Sequence, residues 1–136
     1  MIFSQASKYA IRALIHLAEH APEPQLSREI ARAIDVPGHF LAKILQDLSR
    51  VQLLQSFKGR GGGFKLAKSA DQISLLEIVQ AMDGPGFGQH CLLGLPGCSE
   101  IDPCPLHEHW VRHSTEIMAM LRSQTLALIL ETNAAN

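Results

Sequence analysis

Three cysteines and one histidine carry the clearest chemistry in this sequence. Cys91, Cys98 and Cys104 are the only cysteines of the 136-residue chain, and six and five residues separate them. His107 follows the last with two residues between. Thiolates and imidazole are the ligands of zinc and of iron–sulfur clusters. An odd cysteine count argues against a disulfide framework and for a reducing, cytoplasmic setting. Structural zinc loops usually pair their ligands at tighter spacing. The wide gaps therefore lean towards an iron–sulfur cluster, with zinc as the alternative. His90 is a further candidate ligand. His109 and His113, four apart, have no third ligand and read as a solvated face, as do His16 and His20. No acid pair and no Ser/His/Asp set has a catalytic spacing, so no enzyme activity is expected.

The stretch 84–104 that holds these thiols has no helical or strand periodicity and is rich in Gly and Pro. A loop of this length in a compact domain is unusual unless it is functional. The elements around it must position it. The hydrophobic content, 46%, suffices for one compact core. No apolar run is long enough to cross a membrane, and the N-terminus reads as an amphipathic helix rather than a signal peptide.

Charge divides the chain. Residues 1–70 carry ten Lys/Arg and five acids, and residues 71–136 carry two and eight, so a half at +5 adjoins a half at −6. The basic half is the one suited to a polyanion. Within it, a first helix is expected from Ser4 to about His20, and a second from Ser27 as N-cap. The tight turn Asp35-Val36-Pro37-Gly38 leads to a third, running to about Ser49 with Phe40, Leu41, Ile44, Leu45 and Leu48 inward. Two short helices across a tight turn suit a helix-turn-helix. Leu53–Phe57 and Phe64–Ala67 read as strands joined by the glycine-rich turn Lys58–Gly63, a basic hairpin placed as a wing. A phosphate-binding loop would need a helix after the glycines, and a strand follows instead.

Ser74 and Glu77 form a capping box for a fourth helix. Pro105 is expected to open a long helix to about Glu131, with Cys104 at its N-cap and His107 on the same face. Its apolar stripe (Trp110, Ile117, Leu121, Leu128) exceeds what a small domain covers, which points to a two-fold homodimer. The expected fold is mainly α, a winged helix-turn-helix with a two-stranded wing and a long C-terminal dimerisation helix. The expected division is 1–83 for DNA binding, 84–104 for the cofactor loop and 105–136 for dimerisation and tail. Candidate base readers on the third helix are Gly38, His39, Lys43 and Gln46. Ser4, Lys8 and Arg28 are placed to hold phosphates, and Lys58 and Arg60 form the wing tip. A dimer would read a palindromic double-stranded operator.

Four stretches together resemble a known family. They are Ser7-Lys8-Tyr9-Ala10, Leu41-Ala42-Lys43-Ile44-Leu45, Lys58-Gly59-Arg60-Gly61-Gly62-Gly63-Phe64 and Cys104-Pro105-Leu106. The chain resembles, over nearly its whole length, the winged-helix iron–sulfur regulators typified by IscR and NsrR. The resemblance implies a homodimeric transcription regulator, a repressor, with a [2Fe–2S] or [4Fe–4S] cluster near the dimer interface. By it, Cys91, Cys98 and Cys104 match the cysteine ligands. His107 matches the histidine that completes the [2Fe–2S] site in the IscR-like branch, so [2Fe–2S] is favoured. The NsrR-like branch takes an acid from the partner's first helix, and Lys8 stands at that position here. The first cysteine gap is one residue longer than in those branches. Alternatives are a winged-helix regulator with structural zinc or no metal, and a small metalloenzyme or electron carrier, for which the basic wing has no use.

Overall fold

A computed structural model of the chain describes residues 2–135, with side chains as far as residue 132. The described residues form six α-helices and one two-stranded antiparallel sheet, so the chain is mainly α with a winged helix-turn-helix. Helix α1 spans Gln5–Glu19, and Ser4 caps it by accepting a hydrogen bond from the Ser7 N–H (3.1 Å). Helix α2 is Ser27–Ile34. Ser27 is its first helical residue rather than its cap. Leu26 holds the cap position, and the Glu29 carboxylate accepts from the Leu26 N–H (3.3 Å). Asp35 turns the chain in the left-handed region (φ 55°), and α3 follows as Gly38–Arg50. Ala10, Ala13, Leu14 and Leu17 of α1 meet Ile30 and Ile34 of α2 and Leu41, Leu45 and Leu48 of α3 in one core. Each such leucine or isoleucine contributes about 1.5–3 kcal/mol by leaving water.

Phe40 departs from the expected pattern, since 57% of it is exposed. The buried set of α3 is Leu41, Ile44, Leu45 and Leu48. At 100° per residue, position 40 lies about 90° from the middle of that face.

The wing is β1 (Leu54–Phe57) against β2 (Gly63–Leu66), with Leu54 opposite Leu66 and Phe57 opposite Gly63. It is anchored to the chain just before α2, because Gln25 and Phe64 exchange both backbone hydrogen bonds (2.9 and 2.8 Å). Gly63 makes this approach possible. Its φ is +129°, and a Cβ there would lie 2.4 Å from the Gln25 carbonyl oxygen.

Helix α4 (Leu75–Asp83) opens on the expected capping box, with the Glu77 N–H donating to Ser74 Oγ and the Ser74 N–H to the Glu77 carboxylate (3.2 Å each). The C-terminal helix is not continuous. Helix α5 is His107–Ser123 and α6 is Leu126–Ala135, with Gln124 extended between them (ψ 130°). The break is held from outside the helix. Leu75 N–H donates to the Gln124 carbonyl (2.9 Å) and Leu126 N–H to the Ile73 carbonyl (3.0 Å). Leu126 thereby enters the core fully buried, and α6 packs on α1. Asn136, the end of the expected tail, lies outside the described residues. No described helix is long and apolar enough to cross a membrane.

Candidate metal centre and nucleic-acid interface

The cysteine loop is a succession of tight turns, three of which close on cysteines. Gly94 N–H donates to the Cys91 carbonyl (3.0 Å), Cys98 N–H to Leu95 (3.2 Å) and His107 N–H to Cys104 (3.0 Å). Two contacts seat the loop on α5. Trp110 Nε1 donates to the His90 carbonyl (2.9 Å). Gly88, at φ +83°, lies against Met118, whose Sδ would be 2.7 Å from a Cβ at that position. A glycine here supplies both the left-handed turn and the close approach.

These turns gather the thiols. The Sγ atoms of Cys91, Cys98 and Cys104 all lie within 4.8 Å of one another. Cys91 Sγ is 3.8 Å from Cys104 Sγ, and Cys98 Sγ is 3.6 Å from His107 Nδ1. The Cys104 N–H donates to Cys98 Sγ (3.4 Å). All four residues are half-buried. They line one end of a cavity of about 500 Å³ that continues along α5 past Trp110 to Arg122. Cys104 is not the N-cap of α5. Leu106 holds that position, and Cys104 and His107 meet through a turn preceding the helix rather than through a shared helix face.

The thiols differ in acidity. Backbone N–H groups of Leu95 and then Leu93 point at Cys91 and, with the neighbouring thiols, outweigh desolvation and draw its pKa down to about 7. The Cys104 N–H lowers Cys98, but desolvation and the Cys104 and Cys91 thiols outweigh it, and Cys98 lies above the usual thiol value. Cys91 therefore carries much thiolate near neutral pH, the form that binds metals. Three mutually close thiols, with an imidazole beside Cys98, are a donor set fitting zinc or an iron–sulfur cluster.

The residues expected to face DNA form a second group. Gly38 and His39 are exposed at the start of α3, and Gln46 is exposed further along. Lys43 is exposed but paired with Asp47 (3.3 Å), which also holds Arg50 (3.0 Å). Arg28 is exposed in the first turn of α2, and Lys58 and Arg60 are exposed at the wing tip beside Gly59 and Gly61, both at positive φ. Lys8 is half-buried in the first turn of α1. Ser4 is engaged within the chain. Its N–H donates to Asp83 Oδ2 (3.2 Å), and its hydroxyl donates to Asp83 Oδ1. Three contributors escaped the periodicity argument: Asp47, Asp83 and the exposed Phe40. Asp47 was legible as an i,i+4 partner of Lys43. Asp83 was not, because its partner is 79 residues away.

Residues 3–132 match the family model Rrf2, described as iron-dependent transcriptional regulators. This chain belongs to the Rrf2 family. A relative from Aquifex aeolicus (strain VF5), named as an HTH-type transcriptional regulator, is 34% identical over 128 residues, covering 93% of this chain and 89% of the relative. The HTH-type transcriptional regulator IscR of Sodalis glossinidius is 29% identical over 128 residues, covering 93% and 77%. Among solved structures, the fold is that of CymR, the global cysteine regulator of B. subtilis. That likeness has a TM-score of 0.79 at 23% identity, covering 97% of this chain and 98% of CymR. T. potens IscR has a TM-score of 0.78 at 22% identity, covering 98% and 88%. This Rrf2 chain is thus a DNA-binding transcription regulator and not an enzyme.

Proposed function

We propose that this Rrf2 regulator is a repressor whose operator affinity is set by an iron–sulfur cluster held by Cys91, Cys98, Cys104 and His107. The observation that carries this reading is the convergence of three thiols, all within 4.8 Å of one another, with the His107 imidazole against one of them, Cys98 (3.6 Å). The family's description as iron-dependent supports it. A cluster bound there would supply a redox change and reactivity towards oxidants or nitric oxide. Cys91 offers a thiol more acidic than that of Cys98, Cys98 and Cys104 complete the sulfur set, and His107 anchors it to the first turn of α5. One imidazole beside three thiols favours [2Fe–2S] over [4Fe–4S].

Zinc is the second reading, and the pair distances fit it as well as they fit the tetrahedral irons of a cluster. A tetrahedral ion with bonds of about 2.3 Å to sulfur and about 2.05 Å to nitrogen separates two sulfurs by about 3.8 Å and a sulfur and a nitrogen by about 3.6 Å. The Cys91–Cys104 and Cys98–His107 distances are 3.8 and 3.6 Å. Iron, sulfide and zinc counts with a visible spectrum, all on protein kept from air, separate the two. Iron with matching sulfide and a brown colour support the cluster; colourless protein with one zinc per chain ends that reading. His107→Ala should change the spectrum or speed cluster loss, and an unaltered spectrum moves the fourth ligand elsewhere.

On the DNA side, a homodimer would place two copies of α3 in successive major grooves of a palindromic operator, with the wing tips on phosphates. Exposed Val111 and half-buried Met118, seven residues apart on α5, share a face that suits a second copy. In this division 1–83 reads DNA, 84–104 holds the cofactor and 105–136 pairs the copies, all in the cytoplasm. Each lost phosphate contact lowers the salt slope by about one. Replacing Lys58 and Arg60 together by Ala should therefore flatten the salt dependence of operator binding by about two per half-site, or about four in a dimer. An unchanged slope removes the wing from the interface.

A further inference from the structure

Phe40 has an unusual position for a large apolar side chain. It lies in the first turn of α3, 57% exposed, beside His39 and one turn before Lys43. Within the described residues its ring meets the His39 ring, at 4.7 Å between centroids and 34° between planes. The other exposed aromatic of the DNA-binding half, Phe57, lies under the Lys65 ammonium at 5.2 Å. Gly38 leaves open space on the approach, since nothing lies within 4 Å of where its Cβ would be. N-terminal residues of a recognition helix are those that reach base edges, and the apolar feature of the major groove is the C5-methyl of thymine.

We infer that Phe40 reads a thymine methyl in each operator half-site, its ring held in place by stacking on His39. The inference rests on α3 being the recognition helix. It assigns to this helix an apolar contact beside the hydrogen-bonding ones of His39 and Gln46. Phenylalanine offers no hydrogen bond, so its preference is for the methyl group and not for the thymine edge. Removing that methyl by replacing thymine with deoxyuridine leaves base pairing and every hydrogen-bonding group unchanged.

The test uses the full chain, purified without air, and an operator obtained by selection from random duplexes. Each thymine of a half-site is replaced in turn by deoxyuridine. At one position, wild type should bind the deoxyuridine duplex about fourfold more weakly per half-site, the worth of one buried methyl-sized group. Phe40→Ala should bind the two duplexes equally, and Phe40→Leu should keep part of the preference. The exposure of Phe40 makes loss of fold unlike the expected result, and equal circular dichroism of the variants checks this. The proposal is overturned if wild type never distinguishes thymine from deoxyuridine, or if Phe40→Ala retains the distinction. Gln46→Ala then separates the causes. If it alters base preference while Phe40→Ala does not, only the Phe40 assignment fails. If neither variant alters it, α3 is not the recognition helix.

Discussion

At the residue scale, the exposed face of α3 is more balanced in charge than its lysine and arginine suggest. Asp47 holds Lys43 and Arg50 at once (3.3 and 3.0 Å). Both cations are 71% exposed, so these pairs contribute little to stability, each within about 1 kcal/mol. Their consequence is for binding. With α3 as the proposed recognition helix, this carboxylate repels phosphates and tethers two cations that would otherwise attract any duplex. Asp47→Asn should leave thermal stability nearly unchanged and raise affinity for random-sequence DNA by several-fold. It should also steepen the salt dependence, since each further neutralised phosphate adds about 0.9 to the slope. Titration of operator and random duplexes at two salt concentrations measures both. An unaltered ratio of specific to non-specific affinity would place this triad away from the DNA.

At the element scale, the wing depends on one glycine more than on its tip. Gly63 brings β2 against Gln25, and any side chain there meets the Gln25 backbone, not a movable side-chain end. Gly59 and Gly61 have open space, so a substitution there adds only left-handed strain of about 1–2 kcal/mol. Gly63→Ala must also break the Gln25–Phe64 hydrogen-bond pair. It should cost clearly more in urea unfolding than Gly61→Ala, and more in operator affinity. Equal losses for the two variants would show that the anchor does not hold the wing. The glycine run was readable as a wing from sequence because local chemistry decides turns. The Ser74–Glu77 capping box was readable for the same reason. The break at Gln124 was not. Apolar spacing continues through Leu121 and Leu128, while the groups that stop the helix are the Ile73 carbonyl and the Leu75 N–H, far away in sequence. Phe40 was misplaced because its neighbours Leu41, Ile44, Leu45 and Leu48 already complete the buried face. The cysteines could be named from sequence, but not their convergence, which depends on Gly88 and Trp110 seating the loop.

At the scale of the whole molecule, the end of α4, next to the thiol loop, is tied to the start of α1 by an ion-and-hydroxyl contact, and Phe87 of the loop meets Phe3 (5.9 Å between ring centroids). Asp83 ends α4, and Gly84 (φ +99°) begins the loop. The Asp83 carboxylate binds the N–H and hydroxyl of Ser4, and that hydroxyl caps α1. A negative charge at a helix N-terminus is favourable, so Asp83 holds α1 by charge as well as by hydrogen bonds. Helix α4 also packs on both α1 and α5. A change at the thiols that pulls on residue 84 therefore acts directly on the start of the first helix. Coupling between two sites is a free-energy difference, commonly 1–3 kcal/mol, and a contact carries it only if it differs between the two states. With the proposed cofactor site, Asp83→Asn should leave the visible spectrum and metal count unchanged. It should bring the operator affinities of metal-loaded and metal-free protein several-fold closer together. The measurement is operator titration of both forms for wild type and variant at one salt concentration. A ratio equal to the wild-type ratio would mean that the signal leaves the loop through α5 and its packing instead, with the Ser4–Asp83 contact serving only to cap α1.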